Sequence, residues 1–97
     1  MVIVFKKTLQ DYSKKQRSAN YALNKWYKLA KAADWSKHAD VKNSFPDVDY
    51  AGNDRYVFNI KGNSFRLLAM IFFDKRTLFI RFIGTHSEYD QINCSTI

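Results

Sequence analysis

The sequence predicts an α+β fold: a mostly antiparallel, twisted sheet with an N-terminal strand and two to three helices packed on one face, closed by a short C-terminal helix. Three observations carry this. Residues 55–83 divide into three β-type runs separated by two short polar turns. Apolar residues at helical spacing are confined to the N-terminal half. Thr85, His86, Ser87 and Glu88 have the form of a capping box. Hairpins need no crossover, so three consecutive strands with helices on either side in sequence favour an antiparallel sheet covered on one face.

In chain order, residues 2–5 read as a short strand, and Thr8 can cap a short helix through Asp11 that carries Leu9 and Tyr12. From Ser18 onward Ala22, Trp26, Leu29/Ala30 and Ala33 recur at helical spacing, with Tyr27 beside them, while Lys25, Lys28 and Lys31 form a basic outer face. Asp34, Trp35 and Ser36 break that helix. Ser36 can cap a further turn over residues 37–43, which Phe45-Pro46 ends because a residue before proline avoids the α region. Residues 47–54 form an acidic connection with Gly52-Asn53 as a turn, and the three-stranded meander follows. The capping box then starts one or two turns of helix to about Ile92, and residues 93–97 form a tail.

Within the meander, Gly62-Asn63 is a good two-residue hairpin loop. It places Asn59 opposite Arg66 and Val57 opposite Leu68; a second turn at Asp74-Lys75 sets Leu68 against Arg81 and Met70 against Phe79. Directly paired residues share a face. One face then carries Tyr56, Phe58, Ile60, Phe65, Leu67, Ala69, Ile71, Phe73, Leu78, Ile80 and Phe82, and is the core. The other carries Asn59, Lys61, Arg66 and Arg81 among Val57, Leu68, Met70, Phe79 and Ile83. A slip of one residue would bury the Arg81 guanidinium unpaired, which is costly.

With 97 residues, 46% of them hydrophobic, one domain with one modest core is expected over residues 1–97. No apolar run approaches the roughly 20 residues that span a bilayer, and the charges of the first residues follow the apolar run, the reverse of a signal peptide. A lone Cys94 supports neither a disulfide framework nor a Cys-based zinc site, which fits a reducing cytoplasm. The net charge is +7, and residues 55–86 hold six Lys/Arg (Arg55, Lys61, Arg66, Lys75, Arg76 and Arg81) against Asp74 alone. Sixteen aromatics beside this charge suit nucleic acid, since phosphates attract cations and bases stack on rings. An acidic protein partner would use the same charge, and charge alone does not separate the two.

No Gly-rich phosphate loop, GxSxG, HExxH or Cys cluster is present. What remains is Asn59, Lys61, Asn63, Arg66, Arg81, His86 and Tyr89, with Arg76 as a further phosphate contact. His86 and Tyr89 are three apart and share a helical face. This inventory suits metal-independent RNA cleavage, in which the ribose 2′-OH attacks the adjacent phosphate. Cations stabilise the added charge; an acid and a base move the protons. A helix N-terminus and nearby cations would favour neutral His86 as base, and cations would depress the Tyr89 pKa, leaving it base or acid. Lys61 is a candidate acid. Each residue also has a structural alternative: His86 as a cap, Tyr89 as a half-buried aromatic, Arg81 paired with Asp90 or Glu88. Arg66 is the hardest to explain structurally, as a cation inside an otherwise apolar strand.

Ala33-Asp34-Trp35, the Phe45-Pro46 corner, Gly52-Asn53-Asp54-Arg55-Tyr56-Val57-Phe58-Asn59-Ile60-Lys61-Gly62-Asn63, Phe65-Arg66-Leu67 and Arg81-Phe82-Ile83-Gly84-Thr85-His86-Ser87-Glu88-Tyr89-Asp90 resemble the HigB family of bacterial type II toxins. The resemblance covers nearly the whole chain. It implies a RelE-like fold and an mRNA interferase, without cofactor, acting on translated mRNA at the ribosome in a bacterial cytoplasm. It also implies inhibition by a HigA-type antitoxin with a helix-turn-helix domain, through which the toxin reaches promoter DNA only indirectly. The family's polar positions fall on Asn59, Lys61, Asn63, Arg66, Arg81, His86 and Tyr89. Two other readings use the same residues: a non-catalytic RNA- or ribosome-binding module, and a protein-interaction module.

Overall fold

The computed structural model describes residues 1–94, 96 and 97. Its elements are β1 (Val2–Val4), α1 (Lys6–Lys15), α2 (Asn20–Ala32), α3 (His38–Ser44), β2 (Asp49–Gly52), β3 (Arg55–Ile60), β4 (Phe65–Phe72), β5 (Thr77–Thr85) and α4 (His86–Asp90). One five-stranded sheet has the order β1-β5-β4-β3-β2, with β1 parallel to β5 and every other pair antiparallel. The expected α+β, RelE-like architecture is present.

The core lies between the sheet and α1–α3. Phe58, Leu67, Ile71 and Leu78 of the sheet are fully buried with Leu23 of α2 and Val41 of α3. The Trp26 indole meets the Phe58 ring edge-on at 5.3 Å, and Phe45 meets Phe58 edge-on at 5.1 Å. The buried stripe of α2 and the turn before it is Ala19, Leu23, Trp26 and Ala30. The expected stripe is corrected at Leu29, which is 49% exposed while Leu23 does the packing.

Helix α1 is longer than expected and starts earlier. Thr8 is not its cap: the amide of Thr8 donates to the Phe5 carbonyl at 3.0 Å, and Phe5 itself is the N-cap, with φ 69° and no side-chain cap bond. Leu9 is buried, Tyr12 half-buried, and Lys14 and Lys15 in the last turn complement the helix dipole. Ser36 does not cap α3 either. The N-cap is Lys37, and Asp40 of the first turn accepts from the Ser36 amide (2.9 Å) and hydroxyl (3.0 Å). The Asp40 carboxyl is lowered below its ordinary pKa, chiefly by the Ser36 amide bond.

The acidic connection contains a strand the sequence conceals. β2 pairs with β3 through Asp49 opposite Val57 and Tyr50 opposite Tyr56, with a bulge before Gly52. It is an edge strand, and acids with an exposed Tyr50 suit an edge better than a β propensity scale implies.

The first hairpin has the expected register, with Asn59 opposite Arg66 and Val57 opposite Leu68. The second begins as expected, with Met70 opposite Phe79, and then shifts. A bulge makes Leu68 face Phe82, and Arg81 is the extra residue with no partner in β4. Two assignments change as a result. Ile83, opposite Leu67, belongs to the core, and Phe82, opposite Leu68, belongs to the other face. The bulge lets the strand keep Ile80 and Ile83 buried while Arg81 stays exposed, which a regular ladder cannot do.

The face away from the helices is not open across its middle. Val57 is 3% exposed and Leu68 fully buried, although neither belongs to the helix-side core. Tyr89 packs from α4 over this face, Cys94 hydrogen-bonds it, and Arg55 donates to the Ile97 carbonyl at 2.9 Å. The C-terminal segment thus folds back on β3 and β4. Among the described residues, no helix is long and apolar enough to cross a membrane.

Candidate active site

Two neighbouring rows of the sheet place the site. Ile60, Phe65 and Thr85 lie side by side on β3, β4 and β5, and the next row is Asn59, Arg66 and Gly84. Beyond the first row the chain leaves the sheet on both sides: Lys61 to Ser64 form the β3–β4 turn, and His86 opens α4. Lys61, Asn63 and His86 therefore sit past one end of the sheet, with the Ile60–Phe65–Thr85 row between them and the Asn59–Arg66–Gly84 row.

Arg66 holds the centre. Its guanidinium carbon lies 5.4 Å from the centroid of the Tyr89 ring, a cation–π contact. On one side Asn59 donates from Nδ2 to Asp47 at 3.3 Å; on the other, Gly84 leaves room that the Phe82 ring fills. Two buried polar atoms here find no partner among the described residues: Arg66 Nε, a donor, and Asn59 Oδ1, an acceptor. Unpaired buried groups are costly and are tolerated mainly where a function needs them.

Helix α4 is set by its capping box. The Thr85 amide donates to Glu88 Oε1 at 2.7 Å, and the Glu88 amide donates to the Thr85 hydroxyl at 3.2 Å. The Thr85 amide bond holds the Glu88 carboxyl below its ordinary pKa. The Tyr12 hydroxyl donates to the same carboxylate at 3.4 Å and ties α1 to α4. So fixed, α4 points Tyr89 at Arg66 and leaves His86 half-exposed, with Nδ1 3.2 Å from Asp90 Oδ2. A carboxylate on Nδ1 leaves Nε2 free for a substrate proton.

The expected pKa of Tyr89 is overturned. It is pushed up to about 12, first by burial, then by the hydrogen bond and charge of Cys94; Arg66 opposes the rise and does not overcome it. Cations were expected to dominate, but the folded-back C-terminal segment removes water from the hydroxyl. Tyr89 is a protonated group that can donate.

Asn59, Arg66 and Tyr89 adjoin, and Lys61, Asn63 and His86 lie past the same end of the sheet; Arg76 and Arg81 do not join them. Arg76 lies in the β4–β5 turn at the far end of the sheet and is ion-paired with Asp34. Arg81 is exposed on the bulge, three residues along β5 from Gly84. It is not the partner of Glu88 or Asp90, which engage Thr85 and His86 instead. Sequence reasoning missed Asp47, which holds Asn59, and Asp90, which orients His86. The i, i+4 spacing of His86 and Asp90 was the available signal for the second; the first had none, because it depends on tertiary pairing.

A hollow of about 190 Å³ beside Asn59 and Lys61 is walled by Trp26, Leu29 and Phe45. The larger one, about 360 Å³, lies between α1 and α2 and contains none of the candidate residues.

A five-stranded mixed sheet backed by helices and closed by a short capped helix has the architecture of the RelE-like class of α+β proteins. The comparison with known families agrees: residues 19–92 match the HigB toxin, described as the RelE-like toxic component of a toxin-antitoxin system. The chain belongs to the HigB toxin family. It is 30% identical over 94 residues to an mRNA interferase HigB of Escherichia coli O6:H1, covering 95% of this chain and 91% of that one. It is 32% identical over 92 residues to the mRNA interferase toxin HigB of Escherichia coli K12, covering 93% and 88% respectively. The same figures hold for an mRNA interferase HigB of Shigella flexneri.

Proposed function

We propose that this chain is an endoribonuclease toxin that cleaves mRNA by metal-independent attack of a ribose 2′-OH on the adjacent phosphate. The observation that carries this reading is the Arg66 guanidinium held beneath Tyr89 and beside Asn59, one sheet row from His86.

The chemistry assigns each group a task. His86, oriented by Asp90, takes the 2′-OH proton at Nε2. The 2′-oxygen bonds to phosphorus, and the bond from phosphorus to the 5′-oxygen breaks. A proton passes to that leaving oxygen from Tyr89 or Lys61. Arg66, with Asn59 and Asn63, stabilises the charge on the non-bridging oxygens. The products are a 2′,3′-cyclic phosphate and a 5′-OH. Residues 1–97 act as one domain, in a bacterial cytoplasm, on messages engaged by the ribosome. A HigA-type antitoxin with a helix-turn-helix domain neutralises the toxin and alone contacts promoter DNA.

The test is to map RNA 5′ ends by primer extension in cells after a brief pulse of the chain, beside Arg66→Ala and His86→Ala. New in-frame cuts in translated messages, absent from both variants, are expected. Growth arrest with intact messages would mean a binder that blocks translation without cutting. Wild-type cutting by both variants would remove the site.

A further inference from the structure

The sheet face that carries Arg66 has a second feature at its other end. Arg66, Leu68, Met70 and Phe72 alternate onto this face of β4; Phe79 of β5 lies opposite Met70, and Val4 of β1 lies opposite Phe79. The Phe79 ring contacts Phe72 edge-on at 5.7 Å and Phe5 at 6.2 Å. Three phenylalanines thus run across the strands toward the β1 edge, where Phe5 is 52% exposed and Val2 59% exposed. Neither the core nor the site described above uses them.

Phe5 is held there at a cost. Its φ of 69° and ψ of 35° are left-handed, a conformation that a bulky side chain rarely adopts and that glycine adopts freely. Strain at an exposed residue that contributes nothing to the core points to a ligand rather than to stability. The surroundings of the patch are cationic. Lys75 Nζ lies 5.8 Å from the Phe72 ring centroid, and Arg81 is extruded by the bulge two residues after Phe79. The exposed Phe5 ring and the half-buried Phe79 and Phe72 rings, set beside cations, match a single strand of nucleic acid, whose bases need flat faces and whose phosphates need positive charge. A purely apolar protein partner would have no use for the cations.

Resting on the cleavage reading above, we propose that Phe5, Phe79 and Phe72 form a stacking platform for bases of single-stranded RNA flanking the scissile phosphate. Phe72 lies six steps along β4 from Arg66, about 20 Å at roughly 3.3 Å per residue. That spans up to roughly six stacked nucleotides at about 3.4 Å each. An RNA strand held at Arg66 reaches the platform only if it extends that far. Short substrates occupy the cleavage site alone; longer ones gain the stack.

The experiment uses RNA with 2′-O-methyl groups throughout, which blocks attack, so that binding is read without cleavage. Fluorescence anisotropy compares oligonucleotides of about 4 and about 12 nucleotides on the full chain, long enough in the second case to span the interval. Wild type should bind the longer at least about tenfold more tightly, the scale of one base stack. Phe5→Gly should reduce the longer oligonucleotide to the level of the shorter, leave the shorter unchanged, and melt no lower than wild type because it relieves the left-handed strain. Phe5→Trp should restore the length dependence. Wild-type binding of both lengths by Phe5→Gly would overturn the platform. So would an RNA affinity that is unchanged while the antitoxin complex weakens, which would make the patch a protein-docking surface. Absence of wild-type binding at either length would overturn it too. Arg66→Ala separates the two ideas: it should weaken both lengths, and if it weakens neither, the cleavage-face reading has failed whatever Phe5 does.

Discussion

Replacing Tyr89 with phenylalanine removes one oxygen and tests the catalytic assignment directly. The Tyr89 hydroxyl is pushed up to about 12 by burial and by its hydrogen bond to Cys94. At pH 7 only about one molecule in 10⁵ carries the tyrosinate, from the five-unit gap. A hydroxyl with its pKa raised this far stays protonated at pH 7, which favours the acid role in the proposed mechanism over the base role. Losing an acid of that strength should cost about 10²–10⁴-fold in rate, or about 3–5 kcal/mol of barrier. Stability should barely change. Tyr89→Phe keeps the ring over Arg66 and loses one hydrogen bond, worth about 0.5–1.5 kcal/mol and at the low end for a sulfur partner. Single-turnover cleavage of a ribosome-bound message and urea unfolding, run side by side, separate the two effects. Because the folded pKa is raised from 10, the protonated hydroxyl persists through pH 10 and gives way only as pH approaches 12. The alkaline side of the rate profile below pH 10 should therefore be flat with respect to Tyr89. A Tyr89→Phe chain that cleaves within threefold of wild type would refute the assignment and transfer the acid role to Lys61.

Gly84→Ala would set a methyl group 2.6 Å from Phe82 Cζ and 3.0 Å from Glu88 Oε1, beside Arg66. It should destabilise by about 1–3 kcal/mol and lower cleavage beyond what the lost stability explains, measured on the folded fraction. Leu67→Ala, at a fully buried position, should cost about 2–5 kcal/mol in urea unfolding with no change in cleavage per folded molecule. Glu88 has a folded pKa below its ordinary 4.5, so its contribution is complete above that value and disappears as pH falls through the lower folded pKa. Glu88→Gln should therefore be less stable than wild type at pH 7 and equal to it in strong acid; a gap that persists in acid would place the effect elsewhere.

Residues close in sequence were legible because local rules govern them. The alternation of Phe65, Arg66 and Leu67 puts Arg66 on the face opposite the core whatever the turns do, and the structure keeps it there. The Thr85 and Glu88 box closes as expected because both partners lie within one helical turn. The Gly62 turn sets the first hairpin for the same reason, with Lys61 and Gly62 both left-handed. These elements bring Asn59, Lys61, Asn63, Arg66, His86 and Tyr89 to one end of the sheet.

Where contacts join distant parts of the chain, the tertiary structure decided. The bulge at Arg81 exchanges the faces of Phe82 and Ile83, because burying Ile80 and Ile83 together outweighs a regular ladder. The acidic segment becomes β2 only because β3 offers it an edge. The Tyr89 pKa rises rather than falls because burial and the bond to Cys94 outweigh the neighbouring arginine. Sequence by itself therefore determined which side chains share a face within each strand and helix. Long-range packing determined which strands slip, which surface is covered, and which way the pKa of a covered group moves.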